Sequence, residues 1–234
     1  MDVAGNLSLV RERISAACAR VGRDSSEVEL LAVTKGFPPE VVDEAARASL
    51  TLFGENKVQE AKAKIPLCSS RLRWQMIGHL QSNKAREAVH LFEMIQSVDS
   101  ISLAGEISKW AEKLAKTMPI LVEVNVAGES SKFGCTPERL LADIAQINAL
   151  PRIELRGLMT VAPWTPDLEK VRDIFRRLRE LKLRCEKTLS GPLPHLSMGM
   201  SGDFEVAIEE GATIIRLGSV LFGDRPKKVS VDPL

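Results

Sequence analysis

Three segments of this sequence carry residue types suited to chemistry at an apolar surface. The first is Lys35, which follows the apolar run from Val28 to Val33 and precedes Gly36. A lysine held against an apolar wall is costly to keep charged, so its pKa falls. Its neutral amine can then attack an aldehyde and form an imine. The competing reading is a solvated lysine at a strand end. The second segment is Met198-Gly199-Met200-Ser201-Gly202-Asp203, matched by a loop at Gly218-Ser219. Small residues let backbone N–H groups approach an anion where a helix begins. An ordinary helix cap by Ser201 would use the same residues. The third is Arg216, inside the apolar stretch from Ile214 to Gly218. A buried guanidinium must meet an acceptor. That acceptor is either a carboxylate of the fold or a ring nitrogen of a ligand. Guanidinium does not release its proton, so it would keep such a nitrogen unprotonated.

Other residues carry less. His79 and His195 fall near strand ends without the spacing of a metal site, and His90 has no assigned role. Trp74, Trp110 and Trp164 read as packing residues. Arg172, Arg176, Arg177, Arg179, Lys182 and Arg184, interleaved with Glu169 and Glu180, read as the solvated face of an outer helix.

These residues need elements to hold them. Apolar spacing predicts a leading helix over Asn6 to Arg20, then alternating strands and helices. Strands are expected at Val28–Val33, Thr51–Phe53, Trp74–Ile77, Phe92–Val98, Pro119–Val126, Ile153–Val161, His195–Met198 and Thr213–Leu217. Helix starts are marked at Pro38-Pro39, at Thr136-Pro137-Glu138 and near Asp167. Eight strand–helix units with apolar strands imply a parallel sheet covered on both faces, closed most simply into a (β/α)8 TIM-type barrel. An open doubly wound sheet is the alternative, but no GxGxxG follows an early strand. In a barrel the chemistry lies at the C-terminal ends of the strands. Lys35, Asn56, His79, Asn125, Thr160, Ser197, Ser201 and Arg216 all fall there.

Length and composition bound the function. The chain has 234 residues, enough for one such barrel, and 44% hydrophobic residues, enough for a core. One domain is expected over 1–226, with a loosely held tail over 227–234. A formal net charge of +1 gives no electrostatic case for nucleic-acid or membrane binding. No apolar run approaches a membrane span. The N-terminus lacks signal-peptide features, so a cytoplasmic protein is expected. Four scattered cysteines give neither a disulfide framework nor a metal site.

The sequence resembles the pyridoxal-phosphate homeostasis proteins, the YggS/PROSC group related to the N-terminal barrel of alanine racemase. The resemblance rests on LLAVTKGFPPE around Lys35, FGENKVQEA (53–61), IGHLQSNK (77–84), GLMT (157–160), LSMGMSGDFEVAI (196–208) and IRLGSVLFG (215–223). It runs from about Val28 to Phe222. It implies a fold-type III barrel holding pyridoxal 5′-phosphate (PLP) as an internal aldimine on Lys35. It implies that Asn56 lines the ring side. Ser201, Gly202, Gly218 and Ser219 would surround the phosphate, with Ser197 and Met200 close by, and Arg216 would face the pyridine nitrogen. Two positions depart from the family pattern. Gln75 stands where His is frequent, and Lys57 where an aromatic or Arg is common. Both are expected at the pocket rim or a partner surface.

The related racemases use two bases, one Lys and one Tyr. This sequence contains no Tyr and no expected second domain to supply one. Arg216 at the ring nitrogen would also weaken the cofactor as an electron sink. The expectation is a monomeric PLP carrier with no catalytic residue, delivering PLP to apo-enzymes. The alternatives are a weak PLP-dependent amino-acid racemase, and a phosphate-binding aldolase using Lys35.

Overall fold

The computed structural model describes residues 2–68, 72–129 and 131–224. Helix α1 (Val3–Arg20) leads the chain, and strand and helix then alternate. The strands are β1 (Glu29–Val33), β2 (Leu52–Glu55), β3 (Arg73–Met76), β4 (Met94–Val98), β5 (Met118–Glu123), β6 (Ile153–Met159), β7 (His195–Ser197) and β8 (Ile214–Leu217). The helices between them are α2 (Pro39–Arg47), α3 (Val58–Lys64), α4 (Ala85–Leu91), α5 (Ile101–Lys113), α6 (Pro137–Asn148), α7 (Leu168–Leu189) and α8 (Phe204–Glu209), and α9 (Ser219–Phe222) follows the last strand. All eight strands pair in parallel in sequence order, and β8 returns to β1. The expected barrel with an extra leading helix is the observed fold.

Parallel strands bury both faces, and the sequence supplies two apolar sets for that purpose. Leu31, Val33, Leu52, Met94, Leu121, Met159 and Ile214 form a cluster inside the barrel. The alternate residues, such as Ala32, Phe53, Met76, Ile95, Val122 and Ile215, pack outward under the helices. Helix α1 joins that outer layer through Val3, Leu7, Val10, Ile14 and Ala17. The barrel interior is not wholly apolar. Gln75, Gln96, Ser197 and Arg216 are all buried. Ser197 on β7 bonds Gln96 on β4, two strands that are not neighbours, so the contact crosses the lumen.

Several expectations need correction. Strand β5 stops at Glu123: Val124 still donates to the Met159 carbonyl but is bridged by Cys135 on its other edge, and the Asn125 side chain closes the following loop on Gly128 and Glu129. Trp164 is 91% exposed, so it is not a core packing residue. The basic face of α7 is not simply solvated, since Arg172 and Arg179 pair with Glu209 and Glu210 at the end of α8. The expected loose tail, 227–234, lies outside the described residues. Among the described residues, no helix is long and apolar enough to cross a membrane, and no acidic, His or Cys cluster could hold a metal. The four cysteines are free thiols.

Candidate functional site

Barrel closure brings the C-terminal strand ends to one mouth. Lys35 lies one residue beyond the buried Thr34, at the end of β1. Both neighbours of Lys35 are clamped from below. The Thr34 hydroxyl donates to Glu55 Oε1 at 2.8 Å. Lys64 Nζ, buried at the end of α3, donates to the Thr34 carbonyl at 2.7 Å, to Glu55 at 2.6 Å and to Glu60 at 3.0 Å. Glu60 in turn accepts from the Gly36 N–H. Amine, carboxylates and backbone thus fix the turn that presents Lys35. Burial pushes the Glu55 carboxyl up, opposed by Lys64, while the Gly36 N–H and Lys64 together hold Glu60 low against the upward push of its own burial. These three residues were not among the sequence candidates. An acidic residue ending the apolar strand Leu52-Phe53-Gly54-Glu55, with Glu60 and Lys64 four apart on the next helix, was the available signal.

Asn56 follows β2 and is held by a close approach. A Cβ at Gly78 would lie 2.4–2.9 Å from the Asn56 backbone, so only glycine lets the β3 end rest there. Among the described residues, Asn56 Oδ1 is buried with no hydrogen-bond partner. An unsatisfied buried acceptor calls for an explanation, and a ligand in the mouth supplies one.

The loop after β7 and the start of α9 meet beside the end of β1, because β8 pairs with β1. Ser201 does not cap α8. Its hydroxyl oxygen accepts from Gly218 N–H at 3.4 Å and Val220 N–H at 3.3 Å. These long bonds join the two small-residue loops into one cradle. Asp203 fixes the loop, with its carboxylate accepting from Met200 N–H. The Met200 amide is therefore spent on the fold, and its side chain is exposed. A Cβ on Gly202 would meet nothing within 4 Å, so this point of the cradle is open. Gly218 lies against β1, where its Cβ would stand 3.5 Å from the Val33 carbonyl oxygen. Ser219 begins α9.

Arg216, on β8, lies between the β7 and β1 strands near the mouth. One Nη donates to Ser197 Oγ at 2.6 Å and the other to the Thr160 carbonyl at 2.7 Å. Its acceptors are thus neutral oxygens, not the fold carboxylate weighed from sequence. Glu123 and Asp203 act on it through space. Burial lowers its pKa to about 10, which leaves it cationic at neutral pH. Glu123, at the end of β5, is pushed up to about 7 by burial, against the pull of Arg216. Ser197 is committed beneath Arg216, since its hydroxyl also donates to Gln96. Gln75 is not at the rim. It is fully buried at mid-barrel and accepts from Gln96 Nε2. Lys57 is exposed just before α3.

Comparison with known proteins adds the relationships. Residues 6–226 match the family model of the alanine racemase N-terminal domain. The pyridoxal phosphate homeostasis protein of Aquifex aeolicus is 45% identical over 226 residues, covering 96% of this chain and 99% of the relative. The chain belongs to the pyridoxal phosphate homeostasis protein family. PipY of Synechococcus elongatus, solved with PLP bound, superposes at a TM-score of 0.81 with 36% identity. That match covers 92% of this chain and 100% of PipY. Alanine racemase of Clostridium difficile shares the fold at a TM-score of 0.72 with 15% identity, over 97% of this chain and 58% of the racemase.

The residues at the mouth fit the cofactor that names the family. A lysine on a fixed turn suits an aldehyde, a two-loop cradle of small residues suits a phosphate, and a permanent cation suits a ring nitrogen. The orphaned Asn56 oxygen sits among them.

Proposed function

We propose that this protein binds PLP through a Schiff base to Lys35 Nζ and serves intracellular PLP homeostasis and delivery rather than turnover. The clamp on Thr34 and Gly36 carries the reading, because it fixes the turn bearing Lys35 at the barrel end where Arg216 and the Ser201–Gly218 cradle also lie. When bound, the cofactor supplies an aldehyde that condenses reversibly with an amine. Lys35 holds that carbon. Ser201, Gly202, Gly218 and Ser219 receive the phosphate, and the long bonds from Gly218 and Val220 to Ser201 are ones a phosphate oxygen can replace. Arg216 has five N–H donors, one on each terminal nitrogen already bonded, and offers another to the ring nitrogen. Asn56 lines the ring. Ser197 and Met200 act through the fold, the first below Arg216 and the second in the loop held by Asp203.

Delivery fits this chemistry better than racemisation. No tyrosine is present to act as a second base, and a cationic donor at the ring nitrogen weakens the electron sink. Recipients would be apo PLP-dependent enzymes in the cytoplasm, met by a monomer. The deciding experiment is peptide mass after borohydride reduction of protein incubated with PLP. One pyridoxyl adduct on Lys35, lost in Lys35→Ala, is expected. Labelling spread over surface lysines would overturn the reading. Loss of the α-hydrogen of added amino acids to solvent would replace carrier by enzyme.

A further inference from the structure

Arg216, Ser197, Gln96 and Gln75, buried in the barrel lumen, form one continuous relay. Arg216 donates to Ser197 at 2.6 Å, and Ser197 donates to Gln96 Oε1 at 2.5 Å. Gln96 Nε2 donates to Gln75 Oε1 at 2.6 Å, and Gln75 Nε2 donates to Glu93 Oε1 at 3.1 Å. The relay therefore runs from the mouth, across the lumen, to the opposite rim where β3 and β4 begin. There Glu93 also accepts from Arg73 Nε at 3.0 Å, and Arg73 reaches on to Glu29 at 2.6 Å.

Its direction is fixed by its ends. A guanidinium can only donate, and a carboxylate can only accept. Reversing either glutamine would set an amide oxygen against Glu93 or leave the Ser197 hydroxyl hydrogen without an acceptor. Every link thus points from cation to anion, and aligned links polarise one another. Such a network in a buried lumen specifies a single arrangement when all members are satisfied.

We propose that Glu93, on the rim of the barrel opposite the mouth, is a positioning residue for Arg216 and sets how its guanidinium is presented there. Gln75 and Gln96 transmit that constraint. The function attached to it rests on the PLP reading above, whereas the relay itself is a property of the cofactor-free protein.

The test uses Glu93→Gln, with Glu154→Gln as the control. Glu154 is an exposed carboxylate near the start of β6, paired with Arg156 and outside the relay. The first readout is the side-chain nitrogen NMR signals of Arg216 in cofactor-free protein. The parent and Glu154→Gln should show separate Nη signals from a guanidinium that rotates slowly. Glu93→Gln should merge them. The second readout is PLP affinity with the absorbance of the bound chromophore, where Glu93→Gln should weaken binding about tenfold, the scale of one charge-assisted hydrogen bond. If Glu93→Gln does not fold, Gln75→Leu and Gln75→His decide instead. Leucine should merge the Arg216 signals, and histidine, with one donor and one acceptor, should keep them apart. Unchanged Arg216 signals in Glu93→Gln, or in Gln75→Leu, would overturn the proposal. Equal changes in Glu93→Gln and Glu154→Gln would also overturn it, since a general loss of rim charge would explain both. A relay intact by NMR with no adduct on Lys35 would sink the PLP reading and leave the positioning role standing.

Discussion

At the residue scale the mouth is dominated by one buried cation and one reluctant acid. Burial raises Glu123 from the ordinary 4.5 to about 7, with Arg216 opposing the shift and Asp99 adding to it. The folded-state pKa lies above the unfolded one, so the unfolded chain releases this proton first as pH rises. The stabilising contribution is full below about pH 4.5, declines through the window up to about 7, and is gone above it. The gap corresponds to about 3 kcal/mol. Glu123→Gln has no proton to release. It should lack this decline and outlast the parent in urea near pH 8, with little difference near pH 4. Unfolding midpoints at the two pH values measure it. A parent whose stability is flat across this window would mean that Arg216 holds Glu123 ionised throughout.

At the element scale the important contact is between α3 and the strand ends it covers. Lys64 and Glu55 are buried together, with side-chain exposures of 5% and 0%. Removing one member of such a pair strands the other charge. Lys64→Met should therefore cost about 3–5 kcal/mol in chemical unfolding. It should also slow adduct formation on Lys35, because the Thr34 carbonyl loses its donor. The double variant Glu55→Leu/Lys64→Met should regain most of the stability but not the adduct rate. Equal recovery of both would show that the clamp does not orient Lys35. This clamp also marks where sequence reading stops. Strands such as Pro119–Val126 were legible because parallel strands need apolar runs, and Lys35, Ser201 and Arg216 were legible because their chemistry is odd in such surroundings. Glu60 and Lys64 look like any helix pair until β1 and β2 are known to pass beneath them. Gln75 was legible only as an unusual letter. Its partner Gln96 lies on another strand, and only barrel closure joins them to Ser197.

At the scale of the whole molecule, α1 links the outer shell to the site. Its apolar face is buried, and the Asn6 side chain donates to the Leu221 carbonyl of α9, the helix that begins at the cradle. Exposed ion pairs run alongside, with Arg20 reaching both Glu205 and Glu209. The two kinds of contact differ in magnitude. Leu7 is 2% exposed, and Leu7→Ala leaves a cavity that should cost about 3 kcal/mol. Arg20 has a side-chain exposure of 48%, and Arg20→Gln should cost under about 1 kcal/mol, shrinking further in high salt. If α1 braces α9, Leu7→Ala should also speed the loss of PLP on dialysis, and Arg20→Gln should not. Equal destabilisation by the two substitutions would mean that charge rather than apolar packing fastens α1. Lost stability with unchanged PLP retention would mean that the cradle is set by β8 and the β7 loop alone.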